Sequence, residues 1–403
     1  MRSLEESLFW EIFYRRQAVR SELAHFFEVS AATMSRSSAV LLAKHLVSES
    51  GGTSSSRGRK PTLLQVNPAL AYVAGIEIDR DRITAVITDI SGNLLGRSAI
   101  AATARNPVRK TLKDCQTVLR GAVADARRVR GQVARIGVGH TGMLDVQNGL
   151  CLDWEGVPHW RGVNLREALR ETLGTDITLD DRARAVALAQ HLLWPENRRH
   201  QSAIYLQIGT GIGAGIFVNG RMLRGATLAG GEIGHIVIDR NGPVCACGRR
   251  GCVEAFASLG ATITRVRQAL DMGVKTSLRT LLKPASQLTV EMIVSAARQG
   301  DPLAKTAVSE AGEALGFGIA NAVQLFNPSL VVLAGKFANT ASDFLLEAVT
   351  RSIRAQCFET ISRGLEVRVA PFRKDAGPVG CALLASLDAA AGLVQRALFV
   401  PRA

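Results

Sequence analysis

The chain has 403 residues, 47% apolar and 21% charged, which suits two or three soluble globular domains better than one core. Its net charge of +14 favours a polyanionic partner, although Arg127, Arg128 and Arg130, or Arg198 and Arg199, read equally well as solvated faces. Seven scattered cysteines exclude a disulfide framework, no apolar run reads as a bilayer span, and "MRSLEESLFWEIFYRR" lacks a signal-peptide layout, so a cytoplasmic protein without membrane contact is expected.

In chain order, "RSELAHFFEVSAATMSRSSAVLLAKHLVSES" predicts two helices around a tight break. Leu23, Ala24 and Phe27 give the first an apolar face, and Val29 fills the bend. Ser30 suits the N-cap of the second, where Met34, Leu41 and Leu42 recur at helical spacing. This is the pattern of a helix-turn-helix whose second helix offers Ala31, Ala32, Thr33, Ser35 and Arg36 to double-stranded DNA. Two features depart from it: Glu28 stands where such turns place glycine, and Ser37 and Ser38 replace aliphatic residues. Short strands over residues 46–48 and 62–66 then flank a Gly/Ser tip carrying Arg57, Arg59 and Lys60. That is the layout of a wing touching the DNA backbone or minor groove. The alternative is a three-helix docking domain followed by a linker.

From Ala71 the texture becomes α/β. "YVAGIEIDRDRITAVITDISGNLL" reads as strand, turn, strand, and "SAIYLQIGTGIGAGIFVNGRML" repeats the layout with Asn219-Gly220 as its turn. Two like hairpins, each followed by helices, predict a duplicated unit with a cleft between its halves. The expected domains are 1–68 for the DNA-binding head, 69–190 for the first lobe and 191–403 for the second, with the C-terminal helix free to return to the first.

The stretch "GEIGHIVIDRNGPVCACGRRGCVEA" places His235, Cys245, Cys247 and Cys252 within 18 residues. Three thiolates and an imidazole make a tetrahedral zinc shell, and Gly242, Gly248 and Gly251 let the chain wrap an ion. A full shell leaves no position for an activated water, so the predicted Zn2+ is structural. The other four cysteines, Cys115, Cys151, Cys357 and Cys381, read as buried apolar residues.

The segment "LAGGEIGHIVIDRNGPVCACGRRGCVEAFAS", with the glycine loop at 209–213 and the Asn327-Pro328 and Gly335 segments, resembles the ROK family (repressor, open reading frame, kinase) over nearly the whole chain. The leading head places the resemblance with the repressor branch, the regulators of xylose and N-acetylglucosamine genes. The resemblance implies a winged helix-turn-helix followed by a two-lobed actin-like, ribonuclease-H-like domain, assembled as a homodimer or homotetramer. It implies that Glu232, His235 and Glu254 face a sugar's hydroxyls, with Asp181 and Arg182 at the place of the kinase base.

Arginine keeps its proton and cannot act as that base, although a one-residue shift would return Asp181 to the role. "GIEIDRDRIT" puts Asp79 and Asp81 where kinases carry glycines against phosphates, and Lys336 replaces another expected glycine, while residues 209–213 keep theirs. Gly156 stands where the family has a sugar-contacting asparagine. Arg182 either favours an acidic sugar or pairs with Asp180 or Asp181. The expected protein is a non-enzymatic, sugar-controlled repressor acting on an operator, with an active carbohydrate kinase as the alternative.

Overall fold

The computed structural model describes residues 3–51, 62–127, 129, 132–154, 156–281, 287–371 and 373–399; Arg57, Arg59, Lys60, Arg128 and Arg130 lie outside the described residues. By internal packing the chain divides into two units, residues 1–198 with 375–403, and residues 199–374. The break falls after Arg198 and not at the expected residue 190, because the second lobe's sheet begins only at Ala203.

The first unit opens with α1 (Leu4–Arg15), β1 (Ala18–Val19), α2 (Arg20–Phe26), α3 (Ala31–Ala43), β2 (Val47–Ser50) and β3 (Leu63–Val66). Helix α1 was not foreseen. Ser3 caps it, Glu5 and Glu6 suit its positive end, and Leu8, Phe9, Ile12 and Phe13 are buried. The α2–α3 break holds Glu28 at a φ of 53°, so this residue takes the left-handed conformation that glycine adopts more cheaply. Ser30 caps α3 through the Thr33 N–H, and Met34 and Leu41 face inward. Ser37 and Ser38 are buried, yet neither hydroxyl is stranded. Ser37 donates to Glu5 at 2.8 Å, and Ser38 accepts from Arg20 Nε at 3.0 Å. A polar clasp thus replaces aliphatic packing. Strands β2 and β3 pair antiparallel from Val47↔Val66 to Ser50↔Leu63, and β1 joins the other edge of β3.

The body of this unit contains β4 (Tyr72–Ile78), β5 (Arg82–Asp89), β6 (Leu94–Ala101), α4 (Val108–Asp125), β7 (Ile136–His140), β8 (Met143–Asp145), β9 (Leu150–Asp153), α5 (Leu165–Leu173), β10 (Ile177–Asp181), α6 (Arg182–Leu193) and α7 (Pro195–Arg198). Its main sheet runs β10-β7-β4-β5-β6, with β10, β7 and β4 parallel. Their carboxyl ends stop together at Asp181, His140 and Ile78, the edge at which open α/β sheets hold ligands.

The second unit contains β11 (Ala203–Ile208), β12 (Ile212–Val218), β13 (Arg221–Met222), α8 (Val253–Ala257), α9 (Leu259–Asp271), α10 (Leu278–Leu281), α11 (Val290–Arg298), α12 (Pro302–Phe326), β14 (Leu330–Ala334), α13 (Lys336–Thr340), α14 (Ser342–Gln356), α15 (Glu359–Ser362) and β15 (Glu366–Val369). Its sheet order is β13-β12-β11-β14-β15, an antiparallel meander extended by two parallel strands, the same plan as in the first unit. Asn219 and Gly220, at φ of 51° and 69°, make the expected hairpin turn.

Helix α16 (Ala376–Phe399) packs in the first unit against β4, β7 and α6. A Cβ on Gly75 would lie 1.9 Å from the Pro378 carbonyl, and one on Gly137 would lie 1.7 Å from that of Cys381, so only glycine permits this approach. By length and composition α16 could cross a membrane, which corrects the expectation that no stretch would. Its apolar character is explained by burial of residues 377–386 in the core.

Candidate functional site

The predicted metal ligands converge within the second unit. Cys245 Sγ lies 3.7 Å from His235 Nδ1, Cys247 Sγ lies 3.7 Å from Cys252 Sγ, and all four ligand atoms fall within 4.8 Å of one another. Metal–sulfur distances of about 2.3 Å give tetrahedral edges of about 3.8 Å, so the set fits a four-coordinate ion. The backbone enforces it. Bridges Val237↔Cys252 and Val244↔Arg250 tie the loop into a knuckle, and Gly251, at a φ of 73°, sits where a Cβ would be 1.5 Å from the Asp239 carbonyl. Burial raises the Cys247 thiol, but backbone and side-chain hydrogen bonds from Arg249 outweigh it and bring it down to about 6, whereas burial pushes the Cys245 and Cys252 thiols up.

Of the predicted sugar contacts in this unit, His235 and Glu254 come together around Cys245, and Glu232 is exposed at the entry to the short turn bearing His235. Glu254 has a second attachment. Its Oε2 accepts the Ile212 N–H at 2.7 Å, tying the 209–213 glycine loop to the cysteine knuckle. Lys336 forms an exposed pair with Glu291 at 2.9 Å.

In the first unit, the strand ends carry a charge cluster that sequence spacing did not reveal. Arg182 Nε donates to Glu77 Oε1, and its other arm reaches Asp79 at 3.6 Å. The expected pairing with Asp180 or Asp181 is corrected: Asp180 is fully buried against Arg184 Nε at 2.7 Å, and Asp181 caps α6 through the Ala183 and Arg184 N–H groups. Burial opposes the charge on Arg182, but Glu77 and Asp79 outweigh it and hold the guanidinium above the ordinary arginine range. Burial likewise pushes the Glu77 carboxyl up, so its ionisation depends on Arg182. A Cβ on Gly377 would lie 2.1 Å from Glu77 Oε1, which places the start of α16 directly on this pair.

A second group was also missed. His140 is fully buried, with ring centroids 4.3 Å from Trp154 and 5.3 Å from Trp160. Its Nδ1 accepts the Gly142 N–H at 2.8 Å, and burial drives its pKa down to about 3, so the ring is neutral with Nε2 protonated. Nε2 of His140 and Nε1 of Trp154 and Trp160 have no hydrogen-bond partner among the described residues. Gly156, in place of the expected asparagine, has a φ of 72° and open space beside it. The only available signal was the unusual pairing of Trp154 and Trp160 across this loop.

The chain belongs to the ROK family, whose match covers residues 73–387. It is 28% identical over 379 residues to a putative xylose repressor of Caldicellulosiruptor sp. (strain Rt8B.4), covering 94% of both chains. It is 30% identical over 247 residues to the glucokinase of Thermotoga maritima, covering 61% of this chain and 77% of that one. Among solved structures, a ROK family transcriptional regulator, homolog of E. coli MLC protein, superposes with a TM-score of 0.73 at 26% identity over 94% of each chain.

Proposed function

We propose that this chain is a DNA-binding transcriptional regulator, a repressor, whose affinity for its operator is set by a sugar bound to a former kinase site. The observation that carries the reading is Arg182. At the place of the kinase's proton acceptor stands a permanent cation, ion-paired to Glu77 on β4 and to Asp79 in what would be the phosphate loop. Asp181, the alternative base, has its carboxylate committed to the first turn of α6. Similarity to a repressor along 94% of the chain, head included, supports the same reading.

In this reading residues 1–68 are a winged helix-turn-helix, with α3 as the reading helix and Ala31, Ala32, Thr33, Ser35 and Arg36 toward DNA. Residues 1–68 form the head, and the ROK domain holds the effector. His235, Cys245, Cys247 and Cys252 hold a structural Zn2+, which fixes the imidazole of His235. Glu232 and Glu254 accept hydrogen bonds from sugar hydroxyls, and His235 presents its imidazole to them. Because Arg182 is already neutralised by two acids, it does not select an anionic sugar. A homodimer would present two heads to two half-sites about one or more helical turns apart.

The kinase reading draws on the intact 209–213 loop and on the glucokinase relative. One pair of measurements separates the two: a coupled phosphorylation assay over a panel of hexoses and pentoses with ATP, and operator binding with and without the same sugars. Sugar-dependent DNA release without turnover is expected. Robust turnover would reject the proposal.

A further inference from the structure

The exposed side of α3 has a composition that reads particular bases. Ala32, Ser35, Arg36, Ala39, Val40 and Ala43 are exposed and follow one another at helical spacing, whereas Met34, Ser37, Ser38 and Leu41 are turned inward. Arg36 is the only charged residue on that side. Thr33, by contrast, is tied to the cap: its hydroxyl lies 3.0 Å from Ser30 Oγ, and it also receives Arg36 at 3.5 Å. The two interior hydroxyls are held by Glu5 and Arg20, so neither can turn outward to a base.

In a major groove, alanine and valine have one specific partner, the thymine methyl group. A serine hydroxyl bonds either donor or acceptor edges and discriminates little. An arginine fork recognises guanine through O6 and N7. We infer that each operator half-site is a thymine-rich segment with one essential G·C pair, the guanine being read by Arg36 and the flanking thymine methyls by Ala32, Ala39 and Val40. This rests on the DNA-binding reading above and specifies its ligand.

The test uses the full chain and genomic DNA fragments recovered by binding to it. Equilibrium affinities are then compared for duplexes changed one base pair at a time, and for duplexes in which deoxyuridine replaces thymidine. The wild type should lose about tenfold or more in affinity when the G·C pair is changed. Arg36→Ala should bind all four versions of that pair alike, and removal of flanking thymine methyls should weaken the wild type severalfold. Arg36 is exposed, so the variant should keep the wild-type melting temperature, which is measured alongside. Equal weakening of every duplex by Arg36→Ala would make Arg36 a phosphate contact and overturn the inference, as would uracil duplexes that bind as tightly as thymine ones. A chain that binds no DNA with or without any sugar would instead overturn the regulator reading itself.

Discussion

The cysteine knuckle of the second unit and the strand ends of the first make an instructive contrast. The knuckle keeps every ligand of a four-coordinate metal site, with backbone bridges and glycine at positions that tolerate nothing larger. The strand ends keep the architecture of a ligand edge, yet Arg182 there is paired with Glu77 and Asp79 instead of standing open. A metal knuckle is a folding requirement, because losing one ligand releases the ion and the loop together. A catalytic base and a phosphate loop are needed only for turnover. The two regions therefore differ in the way that the proposed loss of chemistry with retention of binding requires.

Several changes would test that contrast, starting with the largest effect. Cys252→Ser, at a fully buried ligand, should reduce bound metal from about one ion per chain to almost none and destabilise by about 5 kcal/mol or more. Metal analysis and thermal unfolding measure both, and a stable metal-free protein would remove the structural role of the knuckle. Arg184→Met leaves Asp180 buried without its cation and should cost about 3–5 kcal/mol in urea unfolding, more than any change at the exposed rim.

Arg182→Asp should cost about 2 kcal/mol, since buried Glu77 loses a counter-ion that is itself about one-third exposed. It should still give no phosphoryl transfer in a coupled assay, because Asp79 and Asp81 remain in the loop. Turnover restored by this single change would show that the first unit has kept its chemistry in reserve.

His140 supplies the pH test. Its folded pKa of about 3 lies below the unfolded value of about 6.5, so the unfolded chain binds the extra proton between these limits. Its contribution is complete above about pH 6.5 and falls by about 1.4 kcal/mol per pH unit as the solution is acidified toward pH 3. His140→Gln should remove that share of the slope in urea titrations from pH 7 to 4. The smallest effect belongs to Lys336→Ala, whose pair with Glu291 is exposed on both sides; about 0.5 kcal/mol or less is expected from thermal melts.

The cysteine knuckle was legible because its ligands lie close together in the chain and their chemistry is specific. The two hairpins and the Ser30 cap were legible for a similar local reason. The partners of Arg182 were not, because Glu77 and Asp79 lie on and just beyond another strand about a hundred residues earlier and only the sheet register brings them near. Asp180 and Asp181 looked like nearer candidates, but one is taken by Arg184 and the other by helix capping. Ser37 and Ser38 looked like departures from a helix-turn-helix until Glu5 and Arg20, on α1 and α2, were seen to hold them. Helix α1 is hard to read from sequence because its aromatic and acidic residues are mixed, with buried Leu8, Phe9, Trp10, Ile12 and Phe13 crowding its short length. Helix α16 is hard to read because its small residues give little periodic signal, being matched to glycines on two strands.

At 24 residues, α16 is about 36 Å long. Gly377 touches Glu77 near one end, and near the other the Ala397 carbonyl accepts the Lys44 ammonium that follows α3. Arg198 fastens the same head by donating to the Arg15 carbonyl. An intact helix hardly shortens, so a nudge of a single ångström at the carboxylate end has nowhere to dissipate along the rod. The ion pair and the N-terminal helices are thus mounted on opposite tips of one stiff beam.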